Sequence, residues 1–322
     1  MRAAVCRKFG PPEVLEIQDV AMPVPKKNEI RIRIIATTVS AGDCRVRSFT
    51  PPPMFWLPMK FVLGFGKPRK PILGIEFAGV VDAVGSEASR FRIGDAVFGV
   101  SGFAFGTYAE YICLPEKTAI AAKPAGMTYE EAAAVPVGAL TALHFLRKGK
   151  IARGSNVLVY GASGSVGTYV VQLAKYFGAK VTAVCSAANA EWVRALGADA
   201  VIDYEKESVS RSGESYDIVF DTVGKSPYSA CIAMLKPKGF YLLAVMETGH
   251  VFRGLWTSMT TGKKVISGAS SEKIEDLQFL GELIDEGKLV PVIDRRYPLE
   301  MIVEAHRYVD TGRKKGNVVI TL

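Results

Sequence analysis

A glycine-rich turn has the residue types and the spacing to hold a phosphate group. Its sequence is Ala162-Ser163-Gly164-Ser165-Val166-Gly167, an A-x-G-x-x-G pattern, and an apolar run at 156–160 precedes it. Small residues let the backbone turn sharply and approach a pyrophosphate, while the following helix start offers N–H donors and the positive end of its dipole. A glycine pattern between a strand and a helix is a much stronger signal than one alone. We therefore predict that these residues bind the pyrophosphate of a dinucleotide.

The end of the next strand distinguishes between two dinucleotides. Sites that prefer NAD place Asp or Glu about 20 residues past the glycines, where it holds the ribose 2′-hydroxyl. Here no carboxylate follows that strand before Glu191. A carboxylate would repel a 2′-phosphate, whereas Ser186 and Asn189 can donate hydrogen bonds to it. We predict NADPH (NADP⁺) as the cofactor. Candidates for positive charge beside the phosphate are Lys175, Lys180 and Lys315, but solvated ends of a helix and a strand are the more common role for Lys175 and Lys180.

The chain around the turn alternates strand and helix patterns. From residue 156 to 245 the apolar runs repeat at the spacing of βαβ units, which predicts a parallel sheet covered on both faces. The first 120 residues instead contain short β-branched or alternating runs between Gly and Pro, such as Glu29–Thr38 and Glu76–Ala83. A helical pattern covers Thr128–Arg147 and starts with a capping box of Thr128 and Glu131.

The last part of the chain is similar in pattern to the first. Ile274–Asp285 and Ile302–Asp310 predict helices, and Val318–Leu322 predicts a final strand. We expect this tail to return to the first domain. The predicted fold is therefore α/β, with a doubly wound parallel sheet formed by residues 125–272 and inserted in a β-rich domain formed by residues 1–124 and 273–322.

Composition excludes several classes of function. The net charge is +8, but the basic residues occur mostly in ones and twos, without a nucleic-acid motif, so we expect no nucleic-acid partner. No apolar stretch reaches the roughly 18 residues of a membrane span, so we expect no integral membrane contact. The five cysteines are scattered and form no C-x-x-C pair. With no signal-peptide pattern at the start, we expect a cytoplasmic protein.

Several segments, taken in order, resemble the medium-chain dehydrogenase/reductase superfamily and, within it, the zinc-independent quinone oxidoreductase-like branch. Besides the glycine turn, the matching segments are residues 1–15, 74–79, 92–97, 106–111, 135–142, 196–199, 220–224 and 316–322. The resemblance implies a Rossmann-type NADPH-binding domain inserted in a GroES-like catalytic domain. It also suggests a homodimer formed through the nucleotide-binding domains.

Zinc-dependent members differ from this chain at their ligand positions. They carry Cys where this chain has Ser40 and His where it has Ile75, and residues 99–107 contain no Cys for their structural lobe. Ser and Ile offer no usable zinc ligand, so we expect no metal. Without zinc, reduction of an already electrophilic acceptor remains easy. The resemblance implies hydride transfer to a small apolar carbonyl or quinone, including α,β-unsaturated carbonyls.

The resemblance also assigns roles to residues outside the glycine turn. It places Thr141 and Thr222 near the nicotinamide and Tyr204 in the 2′-phosphate region. The strand end against the ring or its carboxamide consists of Leu243, Ala244 and Val245. Each of these positions is equally compatible with packing, and Leu243 above all, because its neighbours are apolar.

The proton donor is less well defined. Residues 40–45 correspond to an Asn-Pro-x-Asp-x-Tyr stretch of many quinone reductases, in which Asp43 is kept and Arg45 replaces the Tyr. Related enoyl-thioester reductases use a Tyr of this loop as proton donor, and this chain has no Tyr between Phe9 and Gly106. Asp43, Arg45 and solvent water are the candidates. Asp43 is equally compatible with a structural loop cap.

The segment Pro51–Lys70 is rich in apolar residues, including Phe55 and Trp56, and ends in Lys67, Arg69 and Lys70. In the fold that the resemblance implies, it lies beside the cleft, where Phe55 and Trp56 would line the substrate pocket. A small satellite core is an equal alternative. A peripheral membrane contact is less favoured, because the apolar run is short.

Two further functions stay open. One is enoyl or alkenal reduction. The other is a non-catalytic NADPH-binding sensor or adaptor, since fold alone does not establish chemistry.

Overall fold

The computed structural model describes residues 1–51, 53–206, 209, 213–245 and 248–322. The chain forms two compact units, of which the first consists of Met1–Val137 and Glu272–Leu322 and the second of Gly138–Ser271. The second unit is thus a continuous insertion in the first, which confirms the predicted fold class. Its N-terminal limit differs from the predicted residue 125, because the short helix at Tyr129–Ala133 packs on the sheet of the first unit.

The N-terminal stretch of the first unit is mainly β-structure. Its elements are β1 (Arg2–Cys6), β2 (Leu15–Asp19), β3 (Glu29–Val39), α1 (Ala41–Ser48), α2 (Trp56–Leu63), β4 (Glu76–Val84), β5 (Ala96–Val100), β6 (Tyr111–Pro115), β7 (Ile120–Ala122) and α3 (Tyr129–Ala133). Alternation along β3 places Ile30, Ile32 and Ile34 on one face, where they pack in a core with Phe77 of β4.

The second unit alternates strands and helices. Its elements are α4 (Pro136–Lys148), which begins at the boundary, β8 (Asn156–Tyr160), α5 (Ser165–Tyr176), β9 (Lys180–Cys185), α6 (Ala190–Ala195), β10 (Ala200–Asp203), β11 (Tyr216–Asp221), α7 (Tyr228–Met234), β12 (Leu235–Leu243), α8 (Thr248–Thr260) and β13 (Lys264–Ser267).

The strands of the second unit are parallel and lie in the order β10-β9-β8-β11-β12-β13. This is the Rossmann arrangement, in which the strand order reverses between β8 and β11. Ligands bind outside the carboxyl ends of the strands at such a reversal, and the glycine turn follows β8 directly.

The tail completes the first unit with α9 (Ile274–Asp285), β14 (Ile293–Pro298), α10 (Ile302–Asp310) and β15 (Asn317–Thr321). Strand β15 pairs antiparallel with β3 in a sheet of order β14-β15-β3-β4-β5-β7, and β6 also pairs with β3. The predicted return of the tail to the first domain is confirmed. None of the described helices is both long enough and apolar enough to cross a membrane.

The prediction of one continuous helix over Thr128–Arg147 is wrong. The capping box of Thr128 and Glu131 is present, but α3 ends at Ala133 and α4 begins at Pro136. Proline has no N–H to donate and its ring clashes with the carbonyl four residues earlier, so it starts a helix more readily than it continues one.

Candidate cofactor site and buried polar cluster

The turn after β8 leaves the start of α5 uncapped by side chains. Gly161 takes a φ of +74°, which residues with a Cβ rarely adopt. Gly164 is the N-cap residue of α5, and no side chain hydrogen-bonds to that helix start as a cap. The N–H groups of a first helical turn have no acceptor within their own helix. This arrangement presents backbone donors and the positive helix dipole at the end of a parallel strand.

Gly164 and Gly167 have different structural roles in this turn. A Cβ on Gly167 would lie 2.1 Å from the carbonyl oxygen of Gly161, so only glycine lets the helix lie this close to the turn. A Cβ on Gly164 would meet only that same oxygen, at 3.4 Å, and would otherwise face open space. Space beside Gly164 and close packing at Gly167 form a cradle that fits a pyrophosphate.

The end of β9 carries the residues predicted to recognise the 2′-phosphate. Asn189 Nδ2 donates to Ser186 Oγ at 3.1 Å, and Trp192 Nε1 donates to Asn189 Oδ1 at 3.1 Å. The Ser186 hydroxyl is therefore fixed as an acceptor for Asn189 and keeps its own proton to donate. Asn189 keeps one amide proton for a further acceptor.

Asp203 is a neighbour of this strand end that the sequence reasoning missed. Strand β10 pairs with β9 so that Asp203 lies opposite Cys185, and Tyr204, which is 59% exposed, follows at once. The pKa of the Cys185 thiol is raised to about 11, first by burial and then by the Asp203 carboxylate, while Arg194 opposes the rise. The sequence contained a signal for this position of Asp203, because the carboxyl ends of adjacent parallel strands lie side by side.

Two basic residues that were not among the predicted lysines lie near this strand end. Lys206 Nζ lies 3.8 Å from Asp203 Oδ2, and Arg194 is close enough to act on Cys185. Lys175 instead pairs with Asp199 at 2.8 Å, and Lys180 with Glu214 at 3.4 Å. Lys315 belongs to the first unit, where its backbone N–H donates to Asp294 at 2.9 Å. Its contact with the cofactor stays a prediction.

The two threonines predicted near the nicotinamide form hydrogen bonds within the second unit. Thr222 Oγ1 lies 2.8 Å from the carbonyl oxygen of Tyr160 and 3.2 Å from that of Gly161, so its hydroxyl ties β11 to the start of the glycine turn. Thr141 Oγ1 donates to Ser270 Oγ at 3.3 Å. Both hydroxyls thus have partners within the second unit, and their contact with nicotinamide stays a prediction.

The end of β12 is placed beside the end of β11. The Ala244 N–H donates to the carbonyl oxygen of Asp221 at 3.0 Å. Leu243 is fully buried in the core of the second unit, whereas Ala244 and Val245 are partly exposed. Any contact of Leu243 with a ligand must therefore use its backbone, and the predicted role of all three residues remains a prediction.

Asp43 is a buried helix cap in the first unit. Its Oδ2 accepts hydrogen bonds from the backbone N–H of Ser40 at 2.8 Å and from Ser40 Oγ at 2.6 Å, and Ser40 Oγ accepts from the Asp43 N–H at 3.1 Å. The side chain is almost fully buried, and burial raises the pKa of its carboxyl to about 6. The loop-cap alternative describes these contacts, and the role of Asp43 as proton donor stays a prediction.

A tyrosine and an arginine flank this carboxylate in different surroundings. Tyr108 is fully buried, and the pKa of its phenol is raised well above its usual range by burial and by the charge of Asp43. Its position two residues beyond the Tyr-free stretch, which ends at Gly106, kept it outside the candidates. Arg45 is exposed on α1, and its catalytic role stays a prediction.

Glu76 is a second buried carboxylate that the sequence reasoning missed. Thr38 Oγ1 donates to its Oε1, and the Val137 N–H donates to its Oε2 at 2.8 Å. Burial raises the pKa of this carboxyl to about 7. Lys314, nearby, has its pKa lowered to about 8 by burial, and the charge of Glu76 opposes that change. The sequence signal for Glu76 was its position directly after Ile75.

The two positions that carry ligands in zinc-dependent relatives have other contacts here. Ser40 Oγ is engaged with Asp43, and the carbonyl oxygen of Ile75 accepts from the Ser101 N–H at 2.7 Å. Over the described ranges, no group of three or more His, Cys, Asp or Glu side chains is arranged to hold a metal ion.

Residues 53–70 form a surface segment built around α2. Of the apolar residues described between 54 and 65, Leu63 alone is buried. The satellite-core alternative is therefore wrong, because a core requires its apolar side chains to be shielded from water. Phe55 is half-buried and Trp56 is 47% exposed. Their role in a substrate pocket stays a prediction.

The comparisons with known proteins place this arrangement in a family. Residues 26–124 match the alcohol dehydrogenase GroES-like domain, and residues 196–320 match a family described as zinc-binding dehydrogenase. The fold and the glycine cradle thus define a medium-chain dehydrogenase/reductase with a nicotinamide-cofactor site.

Individual relatives cover nearly the whole chain. It is 34% identical to the chloroplast envelope quinone oxidoreductase homolog of Arabidopsis thaliana, over 95% of this chain and 93% of that protein. It is 32% identical to 2-methylene-furan-3-one reductase of Solanum lycopersicum, over 99% of this chain and 79% of that protein. The quinone oxidoreductase of Coxiella burnetii superposes with a TM-score of 0.90 at 30% identity, covering 100% of this chain and 99% of that one. The chain belongs to the quinone oxidoreductase-like branch of the medium-chain dehydrogenase/reductase superfamily.

Proposed function

We propose that this oxidoreductase uses NADPH, without zinc, to reduce quinones. The observation that carries the proposal is the glycine cradle at the start of α5, next to a β9 end whose Ser186 and Asn189 offer hydrogen-bond donors. The reduced nicotinamide supplies a hydride from its C4 when bound. Lys206 and Arg194 offset the carboxylate of Asp203 where a 2′-phosphate would lie, which supports NADPH over NADH.

Zinc independence is supported by the chemistry of the residues present. The side chain of Ser40 caps helix α1 by hydrogen bonds with Asp43. The side chain of Ile75 has no atom that can bind a metal. A quinone is already electrophilic, so its reduction does not require a Lewis acid. Quinone, NADPH and H⁺ would give hydroquinone and NADP⁺, in which the hydride comes from NADPH and the proton is supplied separately. Because Asp43 and Tyr108 are buried, we assign the proton to solvent water.

Enone reduction is a second candidate, favoured by the likeness to the furanone reductase. It differs in where hydride arrives, since the β-carbon of the enone receives it and the α-carbon must then be protonated. The α-carbon of an enolate is protonated more slowly than a hydroquinone oxygen, so a positioned proton donor accelerates enone reduction more. No described acidic side chain is assigned to that task here.

The test is NADPH oxidation by metal-free protein against a panel of quinones, enones and 2-alkenals. We expect quinone turnover that is unchanged after chelator treatment, and slower or no turnover with the enones. Faster enone reduction favours the second candidate. NADPH binding without turnover of any acceptor leaves the non-catalytic sensor or adaptor, and loss of turnover on chelation that zinc restores refutes zinc independence.

A further inference from the structure

Helix α2 carries an exposed apolar surface in the first unit. Its members, which we call the α2 surface, are Trp56, Leu57, Phe61, Val62 and Phe65, with exposed fractions of 47%, 57%, 57%, 50% and 55%. The rings of Phe61 and Phe65 meet edge to face, with centroids 5.1 Å apart. Scattered apolar residues are ordinary on a protein surface, but a cluster of large ones marks an interaction site.

The helix is anchored to its unit along one side. Leu63 is buried, and the Arg69 N–H donates to its carbonyl oxygen at 2.7 Å, which fixes the chain after the helix. At the other end, the rings of Phe49 and Trp56 are 6.4 Å apart in an edge arrangement. The α2 surface thus lies on a helix that is fixed to its unit at both ends.

The segment that carries the α2 surface has charges of one sign. Residues 48–75 contain four basic residues and no Asp or Glu. Three of the basic residues, Lys67, Arg69 and Lys70, are exposed just after the helix. Lys60 Nζ lies 3.5 Å from the centroid of the Trp56 ring, so an ammonium group sits directly on the apolar surface. Aromatic and aliphatic side chains beside lysine and arginine are the composition that binds a lipid interface.

We propose that the α2 surface binds the face of an anionic lipid bilayer. The apolar side chains would lie at the boundary of headgroups and acyl chains, with the basic side chains against lipid phosphates. A second copy of the chain is a poorer occupant, because a two-fold contact would bring these like charges together. The inference concerns binding alone and does not depend on the reaction proposed above.

The test is cosedimentation of the full chain with vesicles of phosphatidylcholine alone and of phosphatidylcholine mixed with phosphatidylserine. We expect binding to the mixed vesicles that weakens as salt is raised. The double variant Leu57→Glu/Phe61→Glu should lower the partition coefficient at least about tenfold. Replacing Lys67, Arg69 and Lys70 by Gln should lower it by about fivefold per charge.

A matched control removes apolar side chains from a different exposed helix. Leu255 and Met259 of α8 are 62% and 82% exposed, and Leu255→Glu/Met259→Glu should leave vesicle binding unchanged. The proposal is overturned if the protein binds neither vesicle type or binds both equally. It is also overturned if the α8 variant loses vesicle binding and the α2 variant does not. The proposal is also overturned if Leu57→Glu/Phe61→Glu changes only the self-association of the protein, as measured by sedimentation.

A spectroscopic readout locates the contact. The chain has three tryptophans, so Trp192→Phe/Trp256→Phe leaves Trp56 as the single fluorophore. Binding to mixed vesicles should blue-shift its emission, and brominated lipid in those vesicles should quench it. Bound protein whose Trp56 emission is unaffected by brominated lipid contradicts a contact through α2.

Discussion

Gly167 lies so close to Gly161 that a Cβ on Gly167 would be 2.1 Å from the Gly161 carbonyl oxygen. The contact brings the first turn of α5 against the end of β8, where its backbone donors converge. Gly164, between them, has an extended backbone with a φ of −84° that any residue can adopt. The turn therefore separates Gly167, which close packing requires, from Gly164, which borders open space where we propose that the cofactor binds.

Substitutions at these two glycines should separate stability from binding. Gly167→Ala forces the helix away from the turn, and we expect it to lower the free energy of unfolding by about 1–3 kcal/mol. Gly164→Val fits the fold but places its side chain over the cradle, so it should weaken NADPH binding at least tenfold with little loss of stability. Urea denaturation and fluorescence titration with NADPH measure the two effects. Unimpaired NADPH binding by Gly164→Val would show that the cradle is not the cofactor site.

Cofactor preference should depend on charge at the end of β9. Asn189→Asp retains an acceptor for Trp192 Nε1, adds a negative charge and removes the amide that donates to Ser186 Oγ. We expect it to raise KM for NADPH about tenfold and to change KM for NADH much less, because the new carboxylate repels only the 2′-phosphate. Lys206→Gln should act in the same direction more weakly. Equal KM values for NADPH and NADH in the unmodified protein would refute this assignment.

The sequence revealed those features that depend on local order, and missed those that depend on pairing between distant segments. The glycine turn and the capping boxes follow from residues a few positions apart, and the structure contains both. Asp203 became a neighbour of Cys185 only through the pairing of β10 with β9. Residues 125–137 belong to the first unit because of tertiary packing of α3, which no local pattern encodes. The exposure of α2 was equally hidden, since apolar residues in a short run predict burial as readily as a surface site.

Glu76 should make stability fall as pH rises through the weakly acidic range. Its pKa is about 7 in the folded chain against an ordinary value of 4.5, so between these values the folded state holds a proton that the unfolded state has released. The free energy of unfolding therefore decreases from pH 4.5 to pH 7, by on the order of 3 kcal/mol for this group. Asp43 adds the same sign between about pH 4 and its raised pKa of about 6.

The check is urea denaturation at several pH values for the unmodified chain and for Glu76→Gln. The variant keeps acceptor and donor capacity but cannot ionise, so its stability should vary less over this range. Between about pH 8 and pH 9 the slope should reverse, because Lys314, with its pKa lowered to about 8, binds fewer protons in the folded state than in the unfolded one. Above pH 9, Cys6, Cys113 and Cys185, whose pKa values are raised to about 11, act in the opposite direction. Parallel pH profiles for the two proteins would contradict the role of Glu76.

Arg47 should matter far more to stability than a comparable surface arginine. Its side chain is 3% exposed and reaches from α1 to Asp310 at 2.7 Å, while its Nη1 lies 3.1 Å from His306 Nδ1. Arginine only donates, so this nitrogen is the acceptor of a neutral imidazole, and burial lowers the pKa of His306 to about 3. Arg47→Ala removes the guanidinium donor from both acceptors and leaves only the weaker thiol of Cys44, 3.4 Å from His306 Nδ1.

We expect Arg47→Ala to cost about 3 kcal/mol of unfolding free energy, since it removes a buried guanidinium with its hydrogen bonds to His306 and to Asp310, whose side chain is 37% exposed. Arg307→Ala is the matched control, because Arg307 also pairs with a carboxylate at 2.7 Å, that of Glu13, but both side chains are about half exposed. Exposed pairs of this kind add little to stability, so the control should be indistinguishable from the unmodified chain. Guanidinium denaturation at pH 7 compares the two variants. Equal losses would mean that the α1–α10 contact is held by its apolar packing, with Arg47 adding no more than a surface charge would.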